Sequence, residues 1–259
     1  MHSFQYAPDY TLIYMEPFIH LHVHTQYSLL DGQASIDALI DKAYKDGMRA
    51  IAVTDHGVMF GIKEFFNKVS KKNSKPLGII KDSEKELKPL LAKDAPTDEE
   101  QQRITELQKQ IAEAKASIFK PIIGCEAYVC RDRTDKSYVS REYSHLILLC
   151  ENNTGYQNLM YLCSQGFLTG YYYKPRMDYE LIRQHSEGLI CLSACLAGEI
   201  PRAILAGDYD RAKKTALWYR DLFGEGNYYI ELQDHGLEED NIVLPQLIKL
   251  ARETGIPMA

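Results

Sequence analysis

The sequence has no apolar run approaching the ~20 residues that a membrane-spanning helix requires, which excludes a helical span. Its opening, MHSFQYAPDYTLIYMEP, lacks a basic start and carries Asp9, so it does not read as a secretory signal. Cysteine is sparse: six residues, at 125, 130, 150, 163, 191 and 195, with no Cys-x-x-Cys pair among them. A disulfide framework is not expected of a domain this large without a secretion signal. Cys150 and Cys191 lie inside apolar runs and read as small core residues. Together these absences predict a reduced, cytoplasmic chain. Positive charge is also short. Lys and Arg total 30 against 36 Asp and Glu, a net charge of −6. That excludes a free-standing module gripping DNA by backbone charge alone. Carboxylates and histidines gathered to receive cations would push the balance the same way. No internal repeat is present.

What is present is a regular alternation of elements. The 259 residues, 45% of them apolar, suffice for one large domain with a full core. A (β/α) barrel of ~250 residues would take the whole chain, and two small domains would also fit the length. The spacing predicts a strand over 18–24. A helix capped by Ser35 follows, with Ile36, Leu39, Ile40 and Ala43 on its apolar face and Gly47 as its stop. A second strand over 48–54 ends in Asp55-His56-Gly57, and a helix follows over about 60–70. This β-α-β-α opening predicts an α/β fold with a parallel sheet covered by helices.

Residues 71–118 break that rhythm, being rich in Lys, Glu, Asp and Gln. Ile104, Leu107, Ile111 and Ala114 keep a helical spacing there, so the segment reads as a solvated helical insertion, with a partner-docking hairpin as the alternative. Strands are expected again near 121–129, 145–150, 188–194 and 227–233. Helices are expected near 154–166, 178–185, 199–206, 208–222 and 238–254. Gly255 ends the last helix, and 256–259 begin to resemble another strand. A barrel strand needs more residues than these, so the fold is expected to be cut short before its last strand.

The chemistry concentrates where strands end. His22 and His24 are two apart, so a strand would aim both imidazoles to one side, about 7 Å apart. Thr54-Asp55-His56-Gly57 closes the next strand, Gly124-Cys125-Glu126 falls late in another, and Asp31-Gly32 lies in the first loop. Active sites of parallel α/β folds gather at carboxyl ends of strands. Mixed imidazole and carboxylate donors suit zinc, manganese or iron. Two or three such ions ~3.5–4 Å apart are the usual apparatus of phosphoester hydrolysis, and Glu126, with two oxygens, is suited to bridge them.

These residues carry a resemblance. IHLHVHTQYSLLDG at 19–32 and IAVTDHG at 51–57 resemble the first two motifs of the PHP (polymerase and histidinol phosphatase) family. KPIIGCEAYV, YSHLILLCENNTGYQNLMYLCSQGFLTGYYYKPRMD and EGLICLSACLAGEIPRAIL narrow it. They resemble the PHP domains of bacterial DNA polymerase III alpha subunits. The resemblance covers about 17–259 apart from 71–118. It implies a distorted (β/α)7 TIM-like PHP barrel, formed by 17–70 and 119–259 as a single domain.

The resemblance also implies a centre of two or three divalent ions. Its ligands would be His22, His24, Asp31, His56, Glu126, His145 and Cys195, and a metal-bound hydroxide would be the nucleophile. The family's closing Asp-x-His pair would lie on a strand beyond Ala259. The implied role is in DNA replication, as a metal-dependent phosphoesterase or 3′–5′ exonuclease. The parent nucleotidyltransferase would hold magnesium in later domains, and would meet DNA and other replicase subunits. A stand-alone phosphatase on a small phosphomonoester and a structural or docking module are the alternatives.

Residue by residue, the support is uneven. Position alone makes His145 a strand-edge histidine and Cys195 a buried structural thiol. The resemblance turns both into ligands, and a Cys195 thiolate would favour zinc. His20 shares a strand side with His22 and His24 and reads as a core residue or one backing the ligands, as Asp55 could. His235, in QDHG, follows a strand. Arg176 could meet a phosphate, or pair with Asp178 at a helix start. Tyr171–Tyr173 could stack on a nucleic-acid base or pack against neighbouring polymerase domains. His2 and His185 read as surface residues.

Overall fold

The computed structural model describes residues 18–137 and 142–259. The readings of the opening segment and of His2 lie outside the described residues. The elements in order are α1 (Ile36–Lys45), β1 (Ala50–Val53), α2 (Ile62–Leu91), α3 (Asp98–Ala116), β2 (Lys120–Cys130), β3 (Ser144–Cys150), α4 (Asn153–Leu168), β4 (Tyr171–Tyr172), β5 (Lys174–Asp178), α5 (Tyr179–Gln184), β6 (Leu189–Leu192), α6 (Glu199–Leu205), α7 (Tyr209–Phe223), β7 (Tyr228–Tyr229) and α8 (Glu238–Thr254). This is the expected α/β architecture, with a mixed sheet compatible with a TIM-like barrel.

The strands form one sheet in the order β4-β5-β2-β3-β6-β7, with β1 joined to β2. Among the described residues the sheet does not close. β2 is its organiser. One edge pairs in parallel first with β1 and then with β5, while the other pairs antiparallel with β3. At the far end, Ile230 N donates to Pro257 O at 2.9 Å and Leu232 N to Ala259 O at 2.8 Å. The last residues thus lie alongside the segment that follows β7, joined by an isolated parallel bridge between Ile230 and Met258, the start of the strand their sequence suggests.

Strand alternation sorts the core. Cys125, Ala127 and Val129 of β2 turn outward to a core shared with α4, α6, α7 and α8. Ile147, Leu149, Leu192 and Ala194 pack on the opposite face with Ala52. The even-numbered positions of β2, Glu126 and Tyr128 among them, share that inner side. Cys191 is fully buried, whereas Cys150 is only partly so.

Two expectations need correction. Residues 18–24 run beside β1 without forming a strand. His20 O accepts from Ala52 N and Val23 O from Thr54 N, so three steps of one segment face two of the other. Thr54 Oγ1 fills the mismatch, accepting from Val23 N at 2.8 Å. The alternation is thereby broken, and His20 is exposed against the edge of Phe18 instead of lying deeper in the barrel. The second correction concerns the helix expected to end near 70, which continues to Leu91. Its charged second half packs on α3, which starts from a Thr97–Glu100 capping box and buries Ile104, Leu107, Ile111 and Ala114. Arg103 Nε to Glu86 Oε1 at 2.6 Å ties the two helices. Among the described residues no helix is long and apolar enough to cross a membrane.

Candidate metal centre

Glu126 is the hub. It is 1% exposed, held on β2 where the strand crosses beneath the 54–57 turn. That turn is pinned by backbone bonds from Glu126 N to Asp55 O and from Gly57 N to Glu126 O. Gly57 has φ +65, and a Cβ there would lie 2.8 Å from Pro175 Cγ. Only glycine allows this tight passage.

Imidazoles from three segments converge on the Glu126 carboxylate. His145 Nδ1 lies 2.7 Å from Oε1, and His22 Nε2 lies 3.3 Å from the same oxygen. His56 Nδ1 bonds Oε2, and His24 Nε2 is 3.9 Å from Oε2. Cys195 Sγ lies 3.8 Å from Oε1 and 3.5 Å from His145 Nδ1. On the outer side His56 Nε2 meets Asp31 Oδ2 at 2.8 Å. The structure therefore gathers His22, His24, His56, Glu126, His145 and Cys195, with Asp31 attached through His56. Two sets have donor atoms within 4.8 Å of one another and could each hold an ion: His22, His24 and Glu126, and Glu126, His145 and Cys195.

The charges of the cluster are strongly interdependent. Burial would raise the Glu126 pKa, but bonds from His145, His22 and His56 hold it well below the usual carboxylate range. Burial would lower the His22 pKa, yet bonds to Glu126 and Glu231 raise it to about 9. Burial, followed by the charge of His56, lowers His24 to about 4. His56 is raised against its burial by Glu126 and Asp31. The partial burial of Asp31 would raise its pKa, but His56 lowers it instead. Burial pushes the Cys195 thiol up to about 11. The Nε2 atoms of His22 and His24 are 3.1 Å apart, a spacing that needs a proton or a cation between two lone pairs.

Neighbouring groups set the tautomers. Asp55 is buried and accepts from Thr25 N, Thr25 Oγ1 and Ser28 Oγ at 2.7–2.8 Å. Ser28 spends its one proton on Asp55, so its oxygen accepts from His24 Nδ1 at 3.1 Å and from His56 N at 3.2 Å. That leaves the His24 Nε2 lone pair aimed into the cluster. Glu231 Oε1 takes His22 Nδ1 at 2.8 Å and so does the same for His22. The other Glu231 oxygen is buried with no hydrogen-bond partner among the described residues.

Ser28 and Glu231 escaped the sequence reading. An acid ending the apolar run YYIE on the last strand was the available signal for Glu231, whereas nothing local singled out Ser28. Two residues considered earlier sit elsewhere. Arg176 is fully buried, bonding Gly170 O at 3.1 Å and Asp135 O at 2.8 Å, while the ion pair Asp178 makes is to Arg133 Nη1 at 2.7 Å. Arg176 thus braces the β4–β5 hairpin from inside and is not positioned to meet a phosphate. His235 is exposed. With His20, His22, Glu231 and Gln233 it borders a cleft of about 320 Å³, and its backbone N donates to Asp240 Oδ2 at 2.8 Å.

The chain is similar to known proteins. A family model described as PHP domain matches residues 20–235. A DNA polymerase III subunit alpha of Treponema pallidum is 43% identical over 244 residues, covering 93% of this chain and 17% of that protein. Its counterpart in Borreliella burgdorferi is 39% identical over 244 residues, with the same coverage. That of Deinococcus radiodurans is 37% identical over 263 residues, covering 98% of this chain and 16% of the relative. The chain therefore spans about a sixth of the length of these curated relatives.

Proposed function

The chain belongs to the PHP domain family, and from that premise we propose that it is the PHP domain of a replicative DNA polymerase alpha subunit, acting as a cation-dependent phosphodiesterase or 3′–5′ exonuclease. One observation carries the reading: both oxygens of a buried carboxylate, Glu126, are shared among imidazoles from three separate segments. The donor set fits divalent ions, because the close His22–His24 pair and the orphaned Glu231 oxygen both call for positive charge.

His22, His24 and Glu126 would hold one ion, and Glu126, His145 and Cys195 another, while His56 and Asp31 would serve a third. Such ions polarise a phosphoryl oxygen and lower the pKa of water. The chain's own groups supply the order. Ser28 and Asp55 orient His24, Glu231 orients His22, and Tyr128 and Tyr143 wall the cluster against His56 and His145. The Cys195 sulfur favours zinc at its position over manganese or iron. Residues 17–70 and 119–259 would form the barrel and 71–118 a helical insertion. Nucleotidyl transfer with magnesium would belong to other domains of a cytoplasmic parent polymerase, through which DNA and further replicase subunits are met. A stand-alone phosphatase has less support, since these relatives are all named as polymerase subunits.

The test is metal content and activity measured together. The chain, loaded with zinc or manganese, should shorten a primer with a mispaired 3′ end. Chelation and His24→Ala should both remove that activity and lower bound metal by elemental analysis. Activity that survives His24→Ala unchanged would mark a contaminating nuclease and defeat the proposal.

A further inference from the structure

Three large rings lie exposed on segments that meet at the β4–β5 hairpin. Phe60 is 67% exposed, Phe167 41% and Tyr171 55%. They form a row: Phe60 and Phe167 have ring centres 6.3 Å apart at 29°, and Phe167 and Tyr171 6.1 Å apart at 16°. The rings come from the loop before α2, the end of α4 and β4, so the row is made by the fold and not by one local sequence.

The row shares its support with the metal centre. Pro175 pairs with Tyr171 across the β4–β5 hairpin. It also packs beside Gly57, the residue after His56, and its carbonyl lies against Gly166, the residue before Phe167. Next to Pro175, the Lys174 ammonium lies 5.2 Å from the centre of the Tyr128 ring, and that ring is stacked on His56. The ring row and the Glu126 cluster are thus joined through the β4–β5 hairpin, with the Lys174 ammonium beside the Tyr128 ring.

We propose that Phe60, Phe167 and Tyr171 are a stacking platform for the bases of a single DNA strand whose terminal phosphodiester lies at the Glu126 cluster, an inference that rests on the phosphodiesterase reading. The end rings of the stack, Phe60 and Tyr171, are more exposed than Phe167 between them, and an end ring offers a π-face that any base accepts without requiring a particular sequence. Lys174, over the Tyr128 ring that stacks on His56, supplies positive charge for a backbone phosphate near the cluster, in a chain whose net charge is negative. A protein partner would instead be expected to bring side chains into pockets between the rings, and these rings close on one another in stacked contact.

The experiment is fluorescence anisotropy with labelled oligothymidylate of about ten nucleotides and with an abasic strand of equal length, both in chelator so that no cation contributes. The chain should bind the strand with bases at least about 10-fold more tightly than the abasic one. Phe167→Ala and Tyr171→Ala should each weaken binding about 5- to 100-fold, and Tyr171→Phe should restore it. Circular dichroism confirms that each variant is folded. Equal binding of the abasic strand, or ring variants that bind like the parent, would overturn the platform and leave the face to a protein partner. Hydrolysis of a nucleotide-free phosphodiester by the cation-loaded chain is measured separately. If ring-dependent binding persists where such hydrolysis is absent, the platform stands and the phosphodiesterase reading falls.

Discussion

Replacing Ser28 with alanine removes one oxygen, and the structure says what that oxygen does. Ser28 is 2% exposed. It donates to the Asp55 carboxylate at 2.8 Å and accepts from His24 Nδ1 and His56 N at 3.1 and 3.2 Å. A hydrogen bond to a buried charge contributes roughly 1.5–3 kcal/mol and each longer neutral one about 0.5–1. Asp55 keeps both Thr25 donors, so it is not stranded. A loss of about 2.5–5 kcal/mol in urea unfolding is expected. The second effect is chemical. Without an acceptor at Nδ1, His24 is free to change tautomer or turn its ring, and cation affinity should fall about 10- to 100-fold, as when other groups that orient ligands are removed. Competition with a chromophoric zinc chelator, at a temperature where both proteins are folded, reads that fall directly. Zinc affinity within threefold of the parent would refute the claim that Ser28 fixes His24.

Glu231→Gln keeps the shape but weakens the hold on His22 Nδ1, and the same competition should report about 10-fold weaker zinc binding; unchanged affinity would make Glu231 merely a buried acid. The pH response should differ with cation. His22 has its pKa raised from 6.5 to about 9 on folding, so the stability it lends the chelated chain is full below 6.5 and lost as pH rises through about 9. The urea midpoint of the chelated chain should therefore decline over that window. The zinc-loaded chain should instead lose stability as pH falls, because protons compete with the ion for the same donors. A chelated chain more stable at the upper end of the window would contradict the pairing of His22. Gly57→Ala places a methyl 2.8 Å from Pro175 Cγ at φ +65 and should cost about 1–3 kcal/mol in unfolding free energy; a neutral result would mean that the turn is not fixed as described.

Motif spacing carried much of the site. His56 was legible because it falls just past the end of β1, and His22 and His24 because their His-x-His spacing shows whatever the strand does, whereas Glu126, expected late in a strand, lies in the interior of β2. The segment 18–24 illustrates this. It is not a strand, yet its two histidines still face one cluster, since Thr54 absorbs the one-step mismatch through its hydroxyl. The same mismatch turned His20 outward, and no alternation rule applied to sequence alone could show it. His145 and Cys195 became candidates only through family resemblance, because their geometry depends on β3 running antiparallel to β2. Ser28 was invisible for a similar reason: its partners are 4, 27 and 28 residues away, and only the folded loop brings them together. The charge-rich second half of α2 resembles a break in sequence, whereas α3 supplies the apolar face and ion pairs that let the helix continue to Leu91.

The position of β2 also sets an order of events during synthesis. Its two edges are completed by β1, made earlier, and by β3 and β5, made later. Glu126 therefore leaves the ribosome when only the 18–57 half of its neighbours exists, and it waits for His145, Cys195 and finally Glu231. A pairing of such long range closes late and slowly. An ion captured by the early histidines would lack half of its final donors, so secure loading belongs to the finished chain.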